Sequence, residues 1–207
     1  MKNKSILDEV NSYYTNKIIT NGLTPQGVDW NSEESQFLRF EILSSVIGIN
    51  DSFSVLDYGC GFGSMLDFYK TKYKNFEFFG FDISEEMIKN AKETHGNDSN
   101  AKWFSQIDEV PNADYTIASG IFNVRLKNSD NDWLEYILET LKTMNQKSNK
   151  GFSFNMLTKY SDAGYMKEYL YYADPLFIFD YCKRNFSKFV ALNHDYPLYE
   201  FTITVKK

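Results

Sequence analysis

Val55-Leu56-Asp57-Tyr58-Gly59-Cys60-Gly61-Phe62-Gly63-Ser64 decides the fold. A short apolar run ends on an acid, three glycines follow at alternate positions, and a helical pattern begins at Ser64. Glycine permits the tight turn and lets the backbone come close to a ligand. The helix that follows points N–H groups and the positive end of its dipole at whatever lies there. This is the strand–turn–helix that opens a parallel α/β sheet. A dinucleotide site would read GxGxxG and seat a pyrophosphate on that helix. Here the third position is Ser64, and Asp57 would repel a pyrophosphate. The acid suits a ligand that presents a cationic amino group.

Outward from this turn, strands and helices alternate. Helices are expected at Leu7–Thr20, Ser32–Ile47, Ser64–Lys74, Ser84–Glu93, Asp132–Gln146 and Pro175–Asn185. Strands are expected at Ser54–Tyr58, Phe76–Phe81, Ala101–Phe104, Tyr115–Ser119 and Gly151–Met156, with two more near Lys188–Leu192 and Leu198–Val205. Such alternation predicts a parallel sheet covered on both faces. The last two strands are joined by too few residues for a parallel crossover and must form an antiparallel hairpin. There is no repeat and no linker, so residues 1–207 read as one domain. Residues 1–50 form an N-terminal helical cap, and 155–174 form an insertion that serves as a substrate lid. Trp133, Ile137, Leu141 and Met144 lie at helical spacing and read as core.

A second acid, in Phe79-Gly80-Phe81-Asp82-Ile83-Ser84, ends the next strand 25 residues after the first. An acid there can accept hydrogen bonds from both ribose hydroxyls. With both acids and the glycine triplet in place, the segment from Ser54 to Ser119 resembles the class I methyltransferases. That resemblance implies a seven-stranded Rossmann-like, doubly wound sheet, mostly parallel with a C-terminal antiparallel hairpin. It implies S-adenosyl-L-methionine as cofactor and S-adenosyl-L-homocysteine as its product; the Asp, Asp and Asn set of metal-dependent catechol-type enzymes is not evident, so no metal is expected. It further implies that Asp57, Gly59, Cys60 and Gly61 line the methionine part and that Asp82 holds the ribose. Ile83 and Met87 would sandwich the adenine, and Ser119 would lie beside the transferred methyl. The family often carries an acid after the third strand for the adenine amino group. This chain has Phe104-Ser105-Gln106-Ile107-Asp108, so Gln106 or Ser105 would act by side chain, or Ile107 by backbone. Gly27-Val28-Asp29-Trp30 and Gln36…Arg39 resemble small-molecule methyltransferases of bacterial surface-sugar and natural-product clusters. Arg39 would meet the methionine carboxylate, and Tyr13 and Tyr14 would close over the cofactor. Surface ion pairing for Arg39 and plain packing for the tyrosines are the alternatives.

Composition sets the remaining bounds. A net charge of −6 disfavours a nucleic-acid partner. No apolar run of membrane length occurs, and the acidic start lacks a signal-peptide core, so no membrane partner and a cytoplasmic location are expected. Two cysteines, Cys60 and Cys182, show no metal-ligand spacing. Cys60 reads as a small residue filling the turn. The partner is a small-molecule acceptor, with a sugar or surface-polysaccharide precursor as the analogy, and oligomeric state is undetermined.

The acceptor site is expected where loops leave the strand ends. His194, between the last two strands and next to Asp195, is the candidate general base. His95 reads as a solvated loop residue. Asn123 and Arg125 follow the fourth strand, and Tyr165 and Tyr172 lie in the lid; these four are candidate substrate contacts, Arg125 for an anionic acceptor. No Asn-Pro-Pro-Tyr follows the fourth strand, which disfavours nucleobase or glutamine amino methylation. A nicotinamide-dependent oxidoreductase and a cofactor-binding protein without catalysis are the competing functions.

Overall fold

The computed structural model describes residues 2–21, 32–48 and 52–207. Seven strands form one sheet: β1 (Phe53–Tyr58), β2 (Phe76–Phe81), β3 (Ala101–Phe104), β4 (Ala113–Ala118), β5 (Ser148–Leu157), β6 (Phe189–Asn193) and β7 (Glu200–Lys206). Their order is β3-β2-β1-β4-β5-β7-β6. The first five run parallel, and β7 is antiparallel to both β5 and β6. Among the described residues six α-helices accompany them: α1 (Lys2–Asn21), α2 (Glu33–Leu43), α3 (Ser64–Lys72), α4 (Glu85–His95), α5 (Asp130–Lys147) and α6 (Pro175–Asn185). This is the seven-stranded Rossmann-like architecture expected, including the C-terminal hairpin.

Helix starts follow local chemistry. The hydroxyls of Ser32, Ser84 and Ser129 accept N–H bonds from the first turns of α2, α4 and α5, and the Asp174 side chain does so for α6, where Pro175 opens the helix. Such caps each contribute about 1 kcal/mol by satisfying otherwise orphaned donors. Other boundaries moved by a few residues. The second helix closes in a short 3-10 turn at Ser44–Val46, and α4 runs on to His95.

The core lies on both faces of the sheet. On one side Trp133, Ile137, Leu141 and Met144 of α5 are fully buried, as their spacing predicted, against Phe152 and Phe154 of β5. Ile6 and Val10 of α1 join that cluster. On the other side Phe40 and Leu43 of α2 and Met65 and Leu66 of α3 pack on Val55, Phe78 and Ile117. The hairpin does not simply extend the sheet: β7 inserts between β5 and β6. Both faces of β7 are buried, Phe201, Ile203 and Val205 on one and Thr202 and Thr204 on the other. Strand β6 alternates exposed and half-buried positions, and Phe189 is 70% exposed. A strand buried on both faces belongs inside, and a half-exposed one at the edge.

Because β1 lies beside β4, the chain leaves neighbouring strands in opposite directions there. That reversal opens a crevice beyond the strand ends, where ligands bind in open α/β sheets.

Candidate active site

The turn after β1 is pinned to the end of β2. Gly59 and Cys60 donate their N–H groups to the Phe81 carbonyl at 2.7 and 2.9 Å. Gly61 N–H donates to Asp82 Oδ2 at 3.0 Å, and Ser84 N–H to Oδ1 at 2.9 Å. These backbone donors therefore brace the loop and Asp82 rather than standing open to a ligand. Gly59 has a φ of +84°, and a Cβ there would lie 2.3 Å from Ile121 Cγ2, so no larger residue fits. Each Asp82 oxygen keeps a second lone pair for a ligand hydroxyl.

Beyond the strand ends lies a cavity of about 690 Å³, within the range of small-molecule sites. The structure brings into its wall Tyr14, Arg39, Asp57, Gly59, Cys60, Gly61, Asp82, Ile83, Met87, Ser119, Asn123 and Tyr165. Asp57 is 3% exposed, and burial, with the Asp82 charge nearby, pushes its carboxyl up to about 8. Burial also lifts Asp82, opposed by the two N–H groups that it accepts. Two adjacent acids held in a dry wall are poised for a cation. The Ser119 hydroxyl is buried there without a hydrogen-bond partner among the described residues. Cys60 is packed, and burial raises its thiol far out of the reactive range. Tyr14 sets its ring edge-on to Tyr13, with centroids 5.2 Å apart.

Several expected residues stand elsewhere. His194 is exposed on the β6–β7 connection, against the rings of Tyr160 and Phe201, and is not part of the cavity wall. Gln106 is exposed at the start of a 3-10 turn, and Ile107 packs beside Val110, so neither borders the cavity. Arg125 is committed to its own loop: Nε lies 3.1 Å from Asp130 Oδ1, and Nη1 donates to the Asn128 carbonyl at 2.8 Å. The Tyr172 hydroxyl accepts the Lys167 N–H at 2.9 Å and pins the insertion from outside the cavity. His95 is not solvated: it is 5% exposed and stacks on Trp103 at the end of α4. Gly27-Val28-Asp29-Trp30 lies outside the described residues.

The insertion itself starts later than 155, because β5 continues to Leu157. Its backbone is tied down: Arg125 and Leu126 donate to the Tyr169 carbonyl, and Lys159 donates to that of Ala173. Asn123 joins these parts, accepting the Leu157 N–H on Oδ1 at 3.1 Å and the Tyr171 N–H on its carbonyl at 2.8 Å. Lys167 and Tyr169 of the insertion line the cavity, with Tyr199 ahead of β7. Lys167 and Tyr199 were not singled out in sequence, nor were Tyr58 and Tyr136, whose hydroxyls burial holds well above their usual range.

Sequence reasoning also passed over Glu200. It is 1% exposed, and its Oε1 lies 2.8 Å from Arg39 Nε and accepts from Asn155 Nδ2 at 3.0 Å. Asn155 Oδ1 in turn accepts the Gly120 N–H at 2.7 Å. Arg39 is thus a buried, ion-paired residue of the cavity wall rather than a solvated one. One signal was available: a lone acid opening an otherwise apolar and threonine strand requires a buried partner.

Residues 55–145 match the methyltransferase domain family. Rv1506c of Mycobacterium tuberculosis, a methyltransferase by name, is 48% identical over 162 residues, covering 78% of this chain and 98% of the relative. The chain belongs to the class I S-adenosylmethionine-dependent methyltransferases. Among solved structures, magnesium protoporphyrin IX methyltransferase from Synechocystis PCC 6803, with bound S-adenosylhomocysteine, aligns with a TM-score of 0.67. It is 15% identical, and the alignment covers 100% of both chains. A methyltransferase of Leishmania major aligns at 0.63, 12% identical, over 95% of this chain and 82% of its own. At these identities the likeness is one of fold. Among the described residues no helix is long and apolar enough to cross a membrane.

Proposed function

We propose that this methyltransferase acts on a small-molecule acceptor bound between its cofactor and the insertion after β5. The cavity carries this reading: about 690 Å³, walled by the strand ends below and by α1, α2 and the insertion around it. A folded macromolecule does not fit in such a space, whereas a cofactor with a small acceptor does. A sugar or surface-polysaccharide precursor suits the rim, where Tyr165 and Tyr199 hold exposed rings 5.7 Å apart and offer flat apolar faces beside polar tips.

The donor set fits S-adenosylmethionine. Asp57 meets the amino group, Asp82 the ribose hydroxyls, and Ile83 and Met87 the adenine faces, while the Ser119 hydroxyl gains the partner that it lacks. Arg39, with five N–H donors, takes the methionine carboxylate while braced by Glu200. The cofactor supplies an already activated methyl carbon. The protein therefore contributes mainly position, which can be worth roughly 7–11 kcal/mol. Calorimetry with S-adenosylhomocysteine and with NADH, then label transfer from methyl-tritiated S-adenosylmethionine into a cell extract separated by size, tests this. Label in the small-molecule fraction is expected. Label confined to protein or nucleic acid overturns the small-acceptor reading, and binding of NADH alone overturns the cofactor assignment.

A further inference from the structure

The reading above leaves one oxygen of a buried acid without a task. Glu200 lines the cavity and has one oxygen committed, to Arg39 and Asn155, while its Oε2 is buried with no hydrogen-bond partner among the described residues. An unsatisfied buried carboxylate oxygen is costly, and such groups in a cavity wall point to a ligand that supplies the missing donor. The position of Glu200 is fixed from both sides. Asn155 links it to the Gly120 N–H just past Ser119, where β4 ends. Arg39 holds it from α2. Burial raises the carboxyl while Arg39 and Asn155 oppose that rise.

The geometry points to Glu200 as the proton acceptor for the methyl acceptor, which must then be a hydroxyl or amine rather than a carboxylate or phosphoryl oxygen. The inference rests on the cofactor placement proposed above and adds the class of the reacting atom. As the new bond from oxygen or nitrogen to the methyl carbon forms, the carbon–sulfur bond breaks and leaves its electron pair on sulfur. The proton released by the acceptor passes to Glu200 Oε2, and the carboxyl becomes neutral. An anionic acceptor oxygen has no proton to give and would face an unpaired carboxylate oxygen in a dry wall, where like charges repel strongly. His194, exposed and outside the cavity, is not needed for this step.

Sinefungin tests the assignment without a known acceptor, because it carries a primary amine where the cofactor carries its transferable methyl. Its affinity relative to S-adenosylhomocysteine cancels contacts that the two ligands share. Wild-type protein is expected to prefer sinefungin by about 10-fold or more, the scale of a charge-assisted hydrogen bond. In Glu200→Gln that preference should collapse to within about twofold, the scale of a negligible contact. A wild-type ratio near one overturns the proposal even if the variant fails to fold. A variant that weakens both ligands equally and keeps the wild-type ratio also overturns it, leaving Glu200 as a brace for Arg39 alone. Absence of S-adenosylhomocysteine binding to wild type would instead overturn the cofactor placement.

Discussion

Asp57→Asn should make the ligand-free protein more stable at pH 8 and the cofactor complex weaker. The substitution keeps shape and removes only the charge. In the free protein burial, with Asp82 close by, raises the Asp57 carboxyl from 3.8 to about 8. A carboxyl raised on folding contributes stability that is fully present below its unfolded value and is lost as pH climbs through the folded one. The window is therefore pH 4 to 8, and at about 1.4 kcal/mol per pH unit the loss is capped at roughly 6 kcal/mol. Asparagine cannot ionise and should not show that decline. With ligand the sign reverses, since the methionine ammonium requires the carboxylate. Losing a charge-assisted hydrogen bond costs roughly 1.5–3 kcal/mol, or about 10-fold to 150-fold in affinity. Below pH 8 the wild-type protein must also release a proton to bind, so its advantage should shrink by up to about 10-fold per pH unit. Denaturant unfolding of both proteins from pH 5 to 8, and calorimetry with S-adenosylhomocysteine at pH 6, 7 and 8, measure the two effects. Wild-type affinity in the variant at pH 8, or a wild-type affinity unchanged from pH 6 to 8, would refute the placement of the ammonium on Asp57.

The other predictions concern the same wall. Asp82→Ala should weaken S-adenosylhomocysteine by about 10-fold to 150-fold, and it should also lower the melting temperature because Gly61 and Ser84 lose their acceptor. Gly59→Ala forces a side chain into Ile121 at a positive φ and should cost about 1–3 kcal/mol in denaturant unfolding. His194→Ala should leave cofactor affinity and stability within about 0.5 kcal/mol of wild type, as an exposed residue away from the cavity would; a large loss of turnover in that variant would restore it as a base.

The turn and the two acids of the cavity wall were legible because they are local. An acid, three glycines and a helix start within ten residues set the turn, and a second acid at the end of the next strand completes it. Strand–helix alternation likewise determined the parallel sheet, and a short connection determined the antiparallel hairpin. Tertiary structure alone decided that β7 sits inside β6, since that depends on which strand can bury both faces. It also decided the rest of the cavity wall. Arg39 and Glu200 are 161 residues apart in the chain yet meet at 2.8 Å, because α2 packs across the ends of β5 and β7. His194 and Arg125 show the converse. Each lies on a connection at the right edge of the sheet, but one side chain turns out to solvent and the other closes its own loop. Sequence position places a residue at an edge; only the packed surroundings determine where its side chain goes and which partners it satisfies.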